Sequence, residues 1–289
     1  MRNLVSIRWI CVVLLHLPMP ASAQVADSAL PVPHDSHYAQ IGRLSMYYQV
    51  YGSGQPMLLL HGGSSTIEQS FPKQLAYFSA HRVLIAPEQQ GHGRTRDIDA
   101  PLDYVAMADN TAQLLQQLRL KNVDVLGWSD GGIVGLLLAA RHPELVRRLV
   151  VTGASTLPLA EAFGPSIAAE VEASRSEADT QSIANYSRRF ADSINHYPIF
   201  AAKIKNLWLH HPTLTELGPA VLARVGVPTL VIDGDHGSAR LEHTISLYRN
   251  LPRAELLIVP GTGHNTLGEH PEWLNPIILA FLDRASDKH

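Results

Sequence analysis

Ser129 stands in the run Gly127-Trp128-Ser129-Asp130-Gly131-Gly132, with glycines two residues before and two after it. An apolar stretch, Val123 to Leu126, precedes the run, and a helix-forming stretch follows. A serine on a sharp strand-to-helix turn is held in strained backbone geometry, and glycines at those two positions relieve the crowding. Its hydroxyl then projects from the carboxyl edge of a sheet, at the start of a helix whose dipole favours negative charge. This is the setting of a nucleophilic serine. A second run, His61-Gly62-Gly63-Ser64, directly follows the apolar stretch Met57 to Leu60. Acyl transfer builds negative charge on the former carbonyl oxygen, and backbone N–H groups aimed at it need the close approach that glycine permits. The N–H groups of Gly63 and Asp130 are the expected oxyanion-hole donors. The expected base is His264, in Pro260-Gly261-Thr262-Gly263-His264-Asn265, just past the last apolar stretch. An imidazole there, with an ordinary pKa of about 6.5, can take a proton and return it at neutral pH. His61 is expected to orient its loop rather than to catalyse.

The elements that must hold these residues are legible as short apolar runs. Besides 57–60 and 123–126 they are Val83 to Ala86, Leu149 to Val151, Thr229 to Ile232 and Leu256 to Val259. Runs of strand length without polar alternation suit strands covered on both faces, as in a parallel sheet. Helix-length segments with helical apolar spacing lie between them, for example 105–118 and 133–141. Strands alternating with helices predict an α/β fold with a mostly parallel central sheet. Tyr38 to Ile41 and Leu44 to Val50 read as a leading antiparallel pair with Gly42-Arg43 in the turn. The alternation stops between 157 and 224, which lacks strand-like runs and reads as a helical insertion with helices over 160–173, 180–194 and 199–209.

From about Tyr38 to Ala285 the chain resembles the α/β-hydrolase fold superfamily. The matching pieces are His61-Gly62-Gly63, the stretch Glu88-Gln89-Gln90-Gly91-His92-Gly93-Arg94-Thr95, Gly127 to Gly132, the insertion where that family carries its cap, and Gly263-His264. The elbow is similar to that of valacyclovir-hydrolase-like and related small-ester hydrolases. The resemblance implies an α/β-hydrolase core over 38–156 and 225–286, a helical cap over 157–224, a Ser–acid–His triad and no cofactor. It also implies hydrolysis of a carboxylic ester or related acyl bond of a small to medium substrate. Lactonase, amidase, iminopeptidase and perhydrolase chemistry run on the same triad, and a non-catalytic ligand binder can share the fold. A dehalogenase would need an aspartate where Ser129 stands. The sequence departs from the family at the acid. The family's Gly-x-x-Asp places it at 237, where this chain has Gly237. Asp235 is the expected acid on a shortened loop, Asp233 is the second candidate, and the remaining alternative is that no carboxylate orients His264. Glu88 stands where the family usually has aspartate. The Asp130 carboxylate either steadies the elbow or biases the pocket toward cationic substrates. Leu157, Phe163, Phe200 and Trp208 are expected to line the pocket from the cap.

Metal and nucleotide chemistry fare poorly. His34/His37 and His210/His211 match no zinc spacing, and no phosphate-binding glycine loop is present beyond the elbow. The 289-residue chain is 46% apolar and 17% charged, which excludes a disordered chain. A net charge of −3 gives no basic footprint for nucleic acid. Arg2 and Arg8 lead into the apolar run Trp9 to Leu15, and Ala21-Ser22-Ala23 follows, the pattern of a cleavable export signal over 1–23. The run is too short to span a bilayer, which needs about 20 apolar residues. Cleavage removes both arginines and Cys11, the sole cysteine, so the exported chain has neither a disulfide nor a thiol nucleophile. Residues 24–37 read as a flexible leader. The expected partner is a small acyl substrate, with no stable membrane insertion once the signal is removed, in the periplasm or the medium; the sequence leaves the oligomeric state open.

Overall fold

A computed structural model describes residues 30–173, 190–237 and 239–285. The proposed signal segment lies outside these residues, as do 180–189 of the helix expected over 180–194; its described end, 190–193, is not helical. Eight strands form one sheet: β1 (Asp35–Ile41), β2 (Leu44–Gly52), β3 (Pro56–Leu60), β4 (Val83–Pro87), β5 (Val123–Trp128), β6 (Val146–Thr152), β7 (Thr229–Gly234) and β8 (Ala254–Val259). The spatial order is β1-β2-β4-β3-β5-β6-β7-β8. β1 and β2 pair antiparallel, β2 meets β4 antiparallel, and all later neighbours run parallel. β1 corrects the expected leader: Asp35 to His37 are strand residues paired with Val50 to Tyr48. The cause is a free edge of β2 together with ring contact between His37 and Tyr48, 5.5 Å between centroids.

The unbroken apolar runs have a physical explanation in the two faces of the sheet. Along β3, Leu58 and Leu60 join one buried cluster, while Met57 and Leu59 join the other. The first cluster packs against α1 (Tyr104–Gln117) and α2 (Asp130–Arg141); the second holds Phe71, Phe78, Leu274 and Phe281. Full burial of each such side chain contributes about 2 kcal/mol before entropy is counted. α1 starts on Asp103, whose carboxylate accepts the Ala106 N–H at 2.7 Å, an N-cap of the usual kind. α2 is buried from Asp130 to Ala140, so it runs as a central helix under the sheet.

Among the described residues between β6 and β7, the chain is mostly helical: Leu159–Ala162, α3 (Pro165–Ala173), a short turn at Ile194–His196, α4 (Tyr197–His210), and the short turns Leu214–Leu217 and Pro219–Leu222. The helix expected over 160–173 is two pieces because Gly164, at φ +110°, breaks it. After β7 come α5 (Leu241–Asn250) and, beyond β8, α6 (Pro271–Leu282). Among the described residues, no helix is long and apolar enough to cross a membrane.

Candidate active site

Ser129 follows β5 directly, at φ +55° and ψ −122°. A non-glycine residue in this region is strained, and such strain is held only where neighbours over-determine it. Here the Ser129 N–H donates to the Thr152 carbonyl at 2.8 Å, and the Ser129 carbonyl accepts the Gly132 N–H at 2.8 Å. The two spacing glycines are required by space: a Cβ at Gly127 would strike the Gly131 carbonyl, and a Cβ at Gly131 would strike that of Leu60. The turn therefore places the serine hydroxyl at the carboxyl end of β5.

The Ser129 hydroxyl lies 3.0 Å from Nε2 of His264. The histidine loop is pinned from the elbow, because Trp128 Nε1 donates to the His264 carbonyl at 3.0 Å. Burial pushes the His264 ring below its ordinary pKa, and the Asp233 carboxylate partly offsets this. Of the two candidate carboxylates, Asp233 is the one whose charge acts on His264. Asp233 is the penultimate residue of β7 and is 3% exposed; its Oδ1 accepts the Gly234 N–H at 2.9 Å and its Oδ2 accepts the Thr244 hydroxyl at 2.6 Å. Burial raises the pKa of Asp233, against the pull of those donors and of His264. Asp235 lies on the outer side of the turn closed by Gly237 N–H to Gly234 O, 3.1 Å. Its Oδ1 accepts from the Gly261 N–H at 2.6 Å and pairs with His236 Nδ1 at 2.8 Å. The Asp235 N–H still donates to the Val259 carbonyl at 3.2 Å, but its side chain is turned to Gly261 and His236. A Cβ at Gly237 would come within 2.7 Å of Asp233 Oδ1. The bare Cα at 237 leaves that volume to the Asp233 carboxylate.

The loop 61–64 lies alongside the elbow. The Gly62 N–H is engaged by Ser70 Oγ at 3.1 Å, while no acceptor within the described residues takes the N–H of Gly63. Asp130 opens α2, where the first N–H groups have no intrahelical acceptor. Two buried histidines clasp this loop to the 88–94 loop. The Gln89 N–H donates to His61 Nε2 at 3.0 Å, and the Ser64 N–H donates to His92 Nε2 at 3.1 Å. Both rings therefore need a lone pair at Nε2 and a proton at Nδ1, which faces the carbonyl of Gly62 at 2.8 Å and of Gln90 at 2.9 Å. His92 was not foreseen; its one sequence signal is the flanking pair Gly91 and Gly93, both at positive φ. Glu88 is fully buried, accepts the Arg94 Nε–H at 2.9 Å, and thereby fixes the loop.

Burial pushes His61 down to about 4 and His92 down to about 3. An unfolded imidazole protonates near 6.5, so the stability from these neutral rings is complete above that pH. It is lost as pH falls through the folded values. Chemical denaturation should show a loss of about 3 kcal/mol from His61 alone between neutral pH and pH 4. An NMR titration in which either ring protonates near 6.5 in the native state would contradict the clasp.

Asp130 is buried, and its carboxylate accepts from Trp208 Nε1 at 3.0 and 3.2 Å and from Tyr104. Burial raises it to about 6, against those donors. Leu157, Phe163 and Trp208 line a cavity of about 210 Å³ that Ser129 and His264 also line. Phe200 does not line it and is corrected: it is 2% exposed and packs edge-on against His92, 5.1 Å between centroids. Its phase on α4 turns it under the cap. His210 and His211 are not joined: His211 Nδ1 meets Glu216 at 2.9 Å, and His210 Nδ1 meets the Asn206 carbonyl at 3.0 Å.

A mostly parallel eight-stranded sheet, a strained serine at the end of its fifth strand and a histidine after its last strand define an α/β-hydrolase fold. The sequence pattern of the alpha/beta hydrolase family matches residues 57–277, and the chain belongs to that family. It is 25% identical over 280 residues to "Serine hydrolase BPHL" of Homo sapiens, covering 93% of this chain and 92% of that protein. It is 30% identical over 259 residues to "Putative carbamate hydrolase RutD" of Caulobacter sp. (strain K31), covering 82% and 95%. Among solved structures, a hydrolase from Pseudomonas aeruginosa PA01 superposes with a TM-score of 0.68 at 21% identity, over 87% of this chain and 99% of that one.

Proposed function

We propose that this chain is a serine hydrolase that cleaves a carboxylic ester or related acyl bond. The observation that carries the reading is the 3.0 Å approach of Ser129 Oγ and His264 Nε2 on a strained elbow. Ser129 Oγ attacks the acyl carbon while His264 Nε2 takes its proton. The N–H groups of Gly63 and Asp130 donate to the oxyanion that forms. As the tetrahedral species collapses, the imidazolium gives its proton to the departing oxygen, and the acyl group stays on Ser129. Water then attacks the acyl-enzyme with His264 as base, and the acid leaves. Asp233 stabilises the transient imidazolium, and Thr244 holds Asp233 in place. Relatives described as a serine hydrolase and a carbamate hydrolase support acyl chemistry. The largely apolar cavity supports a small to medium acyl group. The N-terminal pattern around Arg2, Arg8 and Ala23 supports export, so the reaction runs outside the cytoplasm.

A fluorophosphonate probe tests this. Mass spectrometry should find the probe on Ser129 and on no other serine. Labelling elsewhere, or none, would refute the assignment.

A further inference from the structure

The acyl cavity has several polar lining groups, and nearly all are engaged inside the protein. The Ser155 hydroxyl donates to the Leu157 carbonyl at 2.6 Å and accepts the Leu157 N–H at 3.1 Å. Tyr104 and Trp208 both donate to Asp130. Ser129 and His264 face each other. His211 is the exception. It lines the same cavity as Ser129. Its Nδ1 lies 2.9 Å from each oxygen of Glu216, and among the described residues its Nε2 has no partner. Glu216 is itself built into place: it accepts the Thr213 N–H at 2.6 Å, and its own N–H reaches Thr213 Oγ1 at 3.3 Å. Burial pulls Glu216 upward, but Thr213 and His211 outweigh that and hold it below the usual carboxylate range. An ionised Glu216 fixes the Nδ1–H tautomer of His211. The ring then presents a lone pair at Nε2.

We propose that His211, oriented by Glu216, is a substrate-binding residue that selects acyl groups which are apolar along their length and carry a hydroxyl at the end remote from the scissile carbonyl. A hydroxyl donates to Nε2. A terminal carboxylate has no proton to give to that lone pair and is disfavoured. A site that hydrogen-bonds a substrate hydroxyl discriminates against the analogue lacking it, because its own polar group is left unpaired. This inference rests on Ser129 being the nucleophile.

The test compares p-nitrophenyl esters of ω-hydroxy acids of six to eight carbons with the unsubstituted and ω-carboxy esters of the same length. The wild type should favour the hydroxy ester over the plain ester by about tenfold in kcat/KM. His211→Phe keeps a ring but removes Nε2, and should bring that ratio near one. Glu216→Gln frees the tautomer and should give an intermediate ratio, which covers the case of a misfolded His211 variant. Three results would each overturn the proposal: equal rates in the wild type, an unchanged ratio in both variants, or preference for the carboxylated ester. If no ester turns over and Ser129 takes no probe, the serine-hydrolase reading falls and takes this one with it; equal turnover with Ser129 labelled removes only His211.

Discussion

Ser129→Ala should lower kcat for a p-nitrophenyl ester by about 10⁶-fold, the scale seen when a nucleophile is removed from a serine triad. The substitution deletes one oxygen and retains the Cβ, so the strained backbone at φ +55° is unchanged and the fold should survive. Residual activity would come from the Gly63 and Asp130 N–H donors acting on water attack. The check is steady-state kinetics on purified variant together with its melting temperature. Turnover within tenfold of wild type in a folded variant would show that the hydroxyl is a bystander.

The second large effect distinguishes the two candidate acids. Asp233→Asn should lower kcat by up to about 10⁴-fold, because an amide in that position no longer balances the charge of the imidazolium. Asp235→Asn should stay within a few-fold of wild type, since that carboxylate braces the Gly261 N–H and His236 on the outer turn. The pH profile adds a sign. Hydrolysis needs neutral His264, so activity falls as pH drops through the pKa of that ring. Burial sets this midpoint below 6.5, and Asp233 pulls it part of the way back up. Without the Asp233 charge the acidic limb should move to still lower pH, even as the plateau drops. A limb that stays in place in Asp233→Asn but shifts in Asp235→Asn would reverse the assignment.

Much of this arrangement was legible before any coordinates. The glycine spacing around Ser129 is dictated by backbone collisions that any sequence at such a turn must avoid, so the motif carries its own geometry. The strands were legible because a sheet buried on both faces demands unbroken apolar runs. The choice between the two candidate acids is not legible for a local reason. Asp233 and Asp235 flank one glycine, and the direction of each depends on how the chain turns after Gly234. Composition does not encode that turn. Thr244, on α5, reaches Asp233 from a separate helix and leaves no pattern beside it, whereas Glu216 lies five residues after His211, in a Thr213-to-Glu216 spacing that caps the next helical turn. His211 read as half of a histidine pair until Glu216 gave its ring an orientation. Phe200 was misplaced because helical spacing gives the period of a face but not its phase.

The bare Cα at 237 has one more consequence. A side chain at 237 would start 2.7 Å from Asp233 Oδ1, so the two positions compete for one volume. Gly237→Asp alone should push the existing carboxylate aside. The same change combined with Asp233→Gly would hand the seat to a side chain arriving from the opposite flank of the turn. Homologous chains should therefore change these two positions as a pair.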